Sequence, residues 1–249
     1  GQSAQQQAHP PPGCVPRVFG QAGGLIAMEY LPYPVWKAVL REGVADPGFA
    51  ASVGKTLRAI HRATRNDGEI AERFRSDAIF YAIRIEPYLL ATAQRHPEIA
   101  GKIHALAERA AATRECLVHG DVSPKNILVG PEGPVFLDAE CANYGDPAFD
   151  LAFCLNHLLL KCLWVPAAAA RFLSCFTALV EGYQPTGEVE HRAASLLPAL
   201  LLARVDGKSP VEYLHDADRK QVRTVAIPLI TCPPDTLGEI RSLWQKSLR

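Results

Sequence analysis

The stretch that decides the fold runs from Leu117 to Leu128 and reads L-V-H-G-D-V-S-P-K-N-I-L. Asp121 and Asn126 lie five residues apart in a connection between two apolar segments. Twelve residues beyond Asn126, Asp138 ends the apolar run Val135-Phe136-Leu137. Asp and Asn are common in turns, but here the order, the spacing and the flanking strand-like segments agree. The pattern predicts that short strands bring three oxygen-bearing side chains together.

These residue types suit the transfer of a phosphoryl group to a hydroxyl. For that reaction a protein mainly positions the reactants, accepts the proton of the hydroxyl and holds metal ions on the phosphates. Magnesium prefers hard oxygen ligands. Asp121 is therefore the candidate proton acceptor, and Asn126 and Asp138 are candidate metal ligands. An Asp and an Asn at this spacing, before a hairpin that ends in Asp, is also the arrangement found in protein kinases.

Three motifs follow one another between residues 119 and 152. They are H-G-D at residues 119–121 with Asn126, then Asp138, then G-D-P-A-F-D-L-A at residues 145–152. In this order they resemble the aminoglycoside phosphotransferase and choline kinase-like family. That family consists of small-molecule kinases with a protein-kinase-like fold, and it has H-G-D where protein kinases have H-R-D. The resemblance extends over roughly residues 15–230.

The resemblance implies a role for each matching residue. Asp121 would be the catalytic base, and His119 would support the loop around it. Asn126 and Asp138 would bind Mg²⁺, which places Asn126 in the nucleotide site as well. Asp150 would tie the following helix back to the loop. The implied substrates are ATP and a small molecule that carries a hydroxyl group.

One position departs from protein kinases, which follow the metal-binding Asp with Phe-Gly. Here the sequence is Asp138-Ala139-Glu140. On an extended strand Glu140 would share a face with Asp138 and could help to hold a second magnesium. The D-x-E pattern is also similar to that of 5-methylthioribose kinase, a sugar kinase of the same superfamily. The alternative is that Glu140 is a structural carboxylate or a salt-bridge partner.

The segment Leu25–Leu31, L-I-A-M-E-Y-L, resembles the last strand of the small lobe of such kinases and the hinge that contacts adenine. The resemblance implies that the backbone of Glu29 and Leu31 meets the base and that Met28 lies deep in the pocket. An ordinary buried strand end is the alternative.

A glycine-rich phosphate loop and a strand lysine should precede this hinge. The 24 residues before Leu25 contain neither, since the first lysine is Lys37, and the chain begins with Gly1 rather than Met. We therefore expect residues 1–31 to be a remnant of the small lobe with the hinge, and residues 32–249 to be the helical C-terminal lobe. The run Gln2–Ala8 would be the tail of a small-lobe helix. A protein that lacks these parts by nature is the alternative to a fragment.

The acceptor site of this superfamily is shaped by the helical C-terminal region. There Arg204, Asp206 and Lys208 crowd around a predicted helix end and are candidate substrate residues; a solvated helix end with cations near its carbonyls is the alternative. Residues 184–249 show no acidic excess, which favours a neutral or anionic hydroxyl compound over a polycationic aminoglycoside. Gly207-Lys208-Ser209 is no P-loop, because Leu202 stands where that motif needs glycine.

The remaining pattern predicts an α+β chain. Asp46 and Pro47 should cap and open a helix. Strands are predicted at 15–19, 25–30, 116–119, 126–129 and 134–138, and helices from 76 or 77, at 97–114, 148–163, 166–183, 188–205, 216–230 and 235–247.

Bulk composition narrows the function classes. The net charge of zero gives no electrostatic support for general binding to nucleic acid or to an anionic membrane. Apolar runs fall short of the roughly 18 residues of a membrane helix. The seven cysteines are odd in number and form no C-x-x-C pair, which favours reduced thiols in a cytoplasmic protein over zinc or disulfides.

These observations favour a protein-kinase-like α+β fold, mostly the large lobe, and an ATP- and Mg²⁺-dependent phosphotransferase that acts on a hydroxyl of a small molecule. A methylthioribose-kinase-like sugar kinase is one alternative. A non-catalytic nucleotide-binding pseudokinase, or an inactive fragment, is another. A protein kinase is disfavoured by H-G-D, by D-A-E and by the lack of an A-P-E segment after Asp138.

Overall fold

Short strand pairs and longer helices alternate along the chain in the computed structural model, which describes residues 13–248. Within those residues the strands form three antiparallel pairs. They are β1 (Val18–Ala22) with β2 (Leu25–Met28), β3 (Cys116–Val118) with β6 (Asn143–Gly145), and β4 (Ile127–Gly130) with β5 (Gly133–Phe136). The predicted α+β class is confirmed, whereas the expectations for Gln2–Ala8 lie outside the described residues.

Helices make up most of the described chain. Before the β3 strand they are α1 (Trp36–Arg41), α2 (Pro47–Ala63), α3 (Gly68–Arg73), α4 (Asp77–Phe80), a π-helical segment (Tyr81–Leu90), α5 (Ala91–Arg95) and α6 (Ala100–Ala112). After the β6 strand they are α7 (Pro147–Trp164), α8 (Ala169–Tyr183), α9 (Gly187–Asp206), α10 (Asp216–Thr231) and α11 (Leu237–Ser247). None of these helices has the length and apolar character needed to cross a bilayer.

Two Asp-Pro pairs start the helices that frame the core. The Asp46 carboxylate accepts a hydrogen bond from the Gly48 amide at 2.8 Å, and the Asp146 carboxylate accepts one from the Ala148 amide at 3.0 Å. Each proline occupies the first helical position, where its missing N–H costs nothing. The predicted start of α2 is therefore confirmed, and α7 begins one residue before its predicted start at 148.

Helix α7 is the centre of the core. Its residues Pro147–Cys162 are all buried, and it packs against α8 and α9. Helices α2 and α8 approach so closely that glycine is required at the contact. A Cβ on Gly54 would overlap the carbonyl oxygen of Leu179, and a Cβ on Gly182 would overlap that of Ala51.

Three differences from the sequence prediction matter for the site. The helix after Ser76 becomes π-helical and contains Pro87. The strand predicted to reach Asp138 ends at Phe136, and Asp138 adopts a left-handed φ of 63°. The short elements α1, α3 and β6 were not predicted, because six residues or fewer give little periodicity.

Candidate active site

The loop after β3 is fastened to α7 by one carboxylate. The backbone amides of His119 and Gly120 donate hydrogen bonds to the two Asp150 oxygens at 2.7 and 2.8 Å. His61 of α2 contacts the same carboxylate at 3.2 Å and Tyr183 at 2.8 Å. Burial raises the pKa of the Asp150 carboxyl, but the hydrogen bond and charge of His61 and the contacts from His119 outweigh burial and lower the pKa. The predicted tie between Asp150 and the loop is thus present in the structure.

Gly120 in the H-G-D motif is required by space as well as by backbone conformation. Its φ is 75°, in the left-handed region that favours glycine. A Cβ there would lie 2.7 Å from the carbonyl oxygen of Cys141 and 2.9 Å from its Cβ. The segment after Asp138 therefore packs directly on the loop, and a larger residue at position 120 would separate them.

Asp121 is held at one of its two carboxylate oxygens. Oδ2 receives the Arg84 guanidinium at 2.9 Å, the Lys125 ammonium at 3.1 Å and the Asn126 amide nitrogen at 2.9 Å. Within residues 13–248, Oδ1 receives no hydrogen bond. The side chain is 3% exposed and lines a cavity. Asp121 therefore combines a fixed orientation with an unused oxygen.

Arg84 is a site residue that sequence analysis missed. It lies in the π-helical segment, is 8% exposed and also donates from Nε to the Gly120 carbonyl at 2.6 Å. π-Helical turns are rare and are often found at functional sites. No motif around Arg84 signals its role, because its two partners in the loop after β3, Gly120 and Asp121, lie 36 and 37 residues away along the chain.

His119 links the loop to the strand that precedes Asp138. Its Nδ1 accepts a hydrogen bond from the Asp121 amide at 3.2 Å, so its Nε2 carries the hydrogen and donates to the Leu137 carbonyl at 3.0 Å. The Leu137 amide in turn donates to the Asn126 carbonyl at 2.9 Å. These contacts fix Leu137, the residue before Asp138, against the backbone of Asn126.

The oxygen atoms of Asn126 and Asp138 fit a hard divalent cation. Both Asn126 hydrogen bonds use its amide nitrogen, and within the described chain nothing donates to its amide oxygen. Asp138 is exposed and pairs with no described cation. No group of three or more His, Cys, Asp or Glu side chains with metal-binding geometry lies within residues 13–248. The Asn126 amide and the Asp138 carboxylate would thus supply only part of the coordination shell of the cation. Phosphate and water oxygens would supply the rest.

Glu140 does not lie on an extended strand. The chain turns at this point, since the Ala142 amide donates to the Ala139 carbonyl at 3.1 Å and Asp138 is left-handed. The assumption that gave Glu140 and Asp138 a common face is therefore wrong. Glu140 is exposed, and a role for it in a metal site stays a prediction without that geometric support.

A cavity of about 170 Å³ opens beside Asp121. Of the three predicted substrate residues, Arg204 lines it. Asp206 faces elsewhere, paired with Arg223 at 2.6 Å and with His96 at 2.8 Å. Lys208 is exposed and pairs with Glu86 at 2.8 Å. The ionisable or aromatic side chains around the cavity are Lys37, Lys125, Lys161, Arg204, Asp121, Glu212, His157, Tyr88, Phe153 and Tyr213.

Lys161 of α7 is the most buried cation of this cavity, with 1% exposure. Its Nζ lies 4.1 Å from the centre of the Trp164 ring and 4.0 Å from that of Tyr213. Burial is the main cause that lowers the pKa of the Lys161 ammonium to about 7, and the charges of Lys37 and Arg204 add to it. Burial, with these cations, also lowers the pKa of His157, which is therefore neutral at pH 7.

The predicted hinge lies at a second cavity, of about 200 Å³. Glu29 and Leu31 line it together with the turn between β4 and β5. Met28 does not line it and is 53% exposed, so the predicted deep position of this side chain is not observed. Both strands of the β1–β2 hairpin are exposed along their whole length, because no described helix or third strand covers them.

Comparisons with known proteins agree with this architecture. The model of the phosphotransferase enzyme family APH matches residues 3–174, and a search of the curated proteins gives no match. An aminoglycoside phosphotransferase from Alicyclobacillus acidocaldarius superposes with a TM-score of 0.51 at 17% identity, over 94% of this chain and 77% of that one. A choline/ethanolamine kinase family protein from Mesorhizobium loti superposes with a TM-score of 0.53 at 15% identity, over 94% and 78%.

These solved structures show that the fold is the expected protein-kinase-like one. The family match covers more than half of the chain and includes every residue of the H-G-D loop, Asn126, Asp138 and Asp150. The chain belongs to the phosphotransferase enzyme family APH.

Proposed function

We propose that this chain is a kinase that transfers the γ-phosphoryl group of ATP to a hydroxyl group of a small molecule. The observation that carries the proposal is the state of the Asp121 carboxylate. Three donors fix Oδ2, no described group occupies Oδ1, and the residue lines a cavity beside the loop. A general base needs this combination of fixed orientation and free acceptor.

In the proposed reaction the acceptor hydroxyl lies within about 2.6–3.2 Å of Asp121 Oδ1. Its oxygen forms a bond to the γ-phosphorus, its proton passes to Oδ1, and the bond from that phosphorus to the β–γ bridging oxygen breaks to release ADP. Arg84 acts as a positioning residue because it binds both the carboxylate and the Gly120 carbonyl. His119 positions Asp138 through Leu137.

Asn126 and Asp138 would hold Mg²⁺ through oxygens that no described donor or cation occupies. A magnesium ion held there would supply positive charge that neutralises the phosphate groups of ATP. The cavity at Glu29 and Leu31 supports a place for the adenine at the hinge. Met28, being more than half exposed, has no contact role in this proposal.

The proposal is tested by Asp121→Asn, which keeps the size of the side chain and removes its basicity. Release of ADP in the presence of acceptors should fall roughly 10²–10⁴-fold, because a general base contributes about that much. Glu181→Gln, on the exposed face of α8, is the matched carboxylate-to-amide control and should leave the rate unchanged. Retention of the full rate by Asp121→Asn would refute the role of Asp121.

The non-catalytic alternative predicts a different result. A pseudokinase would bind ATP and Mg²⁺ by calorimetry yet release no ADP with any hydroxyl compound. Titration of the chain with ATP, with and without Mg²⁺, separates this outcome from failure to bind. Asp138→Ala should abolish the Mg²⁺-dependent part of binding if Asp138 is a ligand.

A further inference from the structure

We propose that the acceptor carries an anionic group, a carboxylate or a phosphate, next to its hydroxyl, and that Lys161 binds that group. This inference deepens the proposed function and rests on it for the identity of the acceptor site. The anion would bind in the cavity beside Asp121, which Lys161 lines. Lys161 belongs to none of the sequence motifs described above.

Lys161 is a buried cation that faces the cavity. The residue is 1% exposed, and its ammonium lies beside the stacked rings of Trp164 and Tyr213, whose centres are 4.3 Å apart. Within the described residues it makes no hydrogen bond and no ion pair; the nearby Glu212 carboxylate is paired with Lys37 instead. Charged lysines are almost never fully buried unless they are paired. A cation that faces a cavity without a partner is suited to an anion that enters that cavity.

The other cations of the cavity have hydrogen-bond or ion-pair partners, although the buried Nε of Arg204 has none within the described residues. Lys37 pairs with Glu212 at 2.6 Å, and Lys125 pairs with Asp121 at 3.1 Å. Arg204 donates to Tyr88 at 3.1 Å and to the Ser209 carbonyl and hydroxyl. Four basic side chains therefore face two carboxylates around the cavity, and among them Lys161 alone has no hydrogen bond and no ion pair within the described residues.

Two neutral hydroxyl groups near the same cavity also lack hydrogen-bond partners. Ser123 is 1% exposed, and its hydroxyl makes no hydrogen bond within the described chain. The Tyr213 hydroxyl is also buried and unpartnered there. Buried hydroxyls normally have partners, so a ligand rich in oxygen would satisfy this site better than an apolar one.

Size and charge together define the chemical class. Pockets for drug-sized ligands are typically about 300–1,000 Å³, so a cavity of about 170 Å³ fits a smaller molecule. A polycation would place its ammonium groups among four basic residues. A small hydroxylated carboxylate or phosphate ester matches the cavity, with its hydroxyl at Asp121 and its anionic end at Lys161.

The pH behaviour of Lys161 gives this proposal a specific signature. The groups that face Lys161 are Lys37 of α1, Arg204 of α9, Glu212 and Tyr213 of the following loop, and His157 of α7 itself. With a pKa of about 7, the free side chain is mostly neutral at pH 8. A bound anion favours the charged form, so binding at pH 8 should take up close to one proton.

The test compares glycerol, glycerate and glycerol 3-phosphate as probes in calorimetric titrations of the full chain without ATP. We expect at least one of the two anions to bind about tenfold tighter than glycerol, since hydrogen bonds to charged groups contribute that much. The tighter anion identifies the group as carboxylate or phosphate. Equal affinity of glycerol and both anions would overturn the proposal.

Lys161→Met supplies the matched comparison because it keeps a long unbranched side chain and removes the charge. It should lose the preference for anions, whereas Lys102→Met, exposed on α6, should keep it. Preservation of the preference in Lys161→Met would contradict the proposal. Should that variant fail to fold, proton uptake by the unmodified chain decides: titrations at pH 8 in two buffers of different ionisation enthalpy must show uptake.

Failure of this inference is distinguishable from failure of the proposed function. Asp121→Asn should keep the preference for anions even though it loses phosphoryl transfer. Efficient transfer to neutral or cationic acceptors alone would refute the anion site and leave the kinase function intact. Binding of the anions without phosphoryl transfer to any acceptor would refute the kinase function and leave the anion site intact.

Discussion

Arg84 is the residue on which the orientation of the proposed base depends. Its guanidinium bridges the Asp121 carboxylate and the Gly120 carbonyl from a buried position in the π-helical segment. Removal of a buried charged partner leaves the other charge uncompensated, which usually has a large effect. Lys125 also contacts Asp121, but its side chain is exposed, so water weakens this ion pair.

We predict that Arg84→Met lowers kcat by roughly 10–100-fold, because about 1.4–3 kcal/mol of positioning is lost. Arg84→Lys should recover part of the rate, since a charge returns without the two-pronged geometry. Steady-state kinetics measure both, and Arg95→Met, exposed on α5, is the control. A purely structural role would lower the melting temperature of Arg84→Met and leave kcat of the folded fraction unchanged.

Lys161 should make stability depend on pH above neutrality. Its pKa is about 7 in the folded chain and about 10.4 in the unfolded chain, so the unfolded state binds more protons between these values. The free energy of unfolding therefore rises as pH increases from about 7 to 10. Below pH 7 the buried side chain is charged in the folded chain, so the full free-energy cost of burying the charge lowers the stability.

We predict that Lys161→Met raises the free energy of unfolding at pH 7 by about 1–4 kcal/mol, an advantage that shrinks towards pH 10. Denaturant titrations at pH 7, 8.5 and 10 measure the difference. An advantage that is equal at all three pH values would show that the lysine is not neutralised on folding.

At the scale of elements, the contact between α2 and α8 depends on two glycines. We predict that Gly54→Ala and Gly182→Ala each reduce the free energy of unfolding by about 1–3 kcal/mol, because a methyl group would overlap backbone oxygens and force the helices apart. Gly101→Ala in α6 is the matched control: open space surrounds it, and it should stabilise by up to about 1 kcal/mol. Chemical denaturation of the three variants provides the measurement, and tolerance of alanine at position 54 or 182 would contradict the close packing.

The junction of the loop with α7 rests on Asp150. Its folded pKa is lowered, so the stability that it contributes is present above its unfolded pKa of about 3.9 and is lost as pH falls through the folded value. Asp150→Asn should therefore destabilise the chain at pH 7 by about 2–4 kcal/mol, and the deficit should narrow below pH 4. Unfolding at pH 7 and pH 3 tests this; a deficit that stays constant with pH would mean that the ionised carboxylate is not what holds the loop.

Sequence alone predicts the elements whose signals lie close together along the chain. It predicts less well those that depend on contacts between distant residues. The Asp46-Pro47 start of α2 is a local signal, and it was predicted correctly; the predicted start of α7 at residue 148 is within one residue of Pro147. Strand β6 was missed because its pairing with β3 joins residues about 27 apart. The face shared by Asp138 and Glu140 was wrong because a left-handed residue ended the strand early.

Whole-molecule properties give little information about the cavity. The net charge of zero is compatible with any acceptor, yet the cavity beside Asp121 gathers four basic side chains against two acidic ones. These side chains come from α1, from the loop after β3, from α7 and α9 and from the loop after α9. Neither Lys161 nor Lys37 could be assigned to the site before the fold brought these elements together.

Transfer of labelled phosphate tests the central claim most directly. The chain is incubated with γ-³²P-ATP, Mg²⁺ and a mixture of small hydroxyl compounds that includes neutral, cationic and anionic members, and the label is followed by chromatography. The account predicts label in a small acceptor with the unmodified chain and none with Asp121→Asn. Binding of ATP without label in any acceptor, or equal labelling by Asp121→Asn, would contradict it.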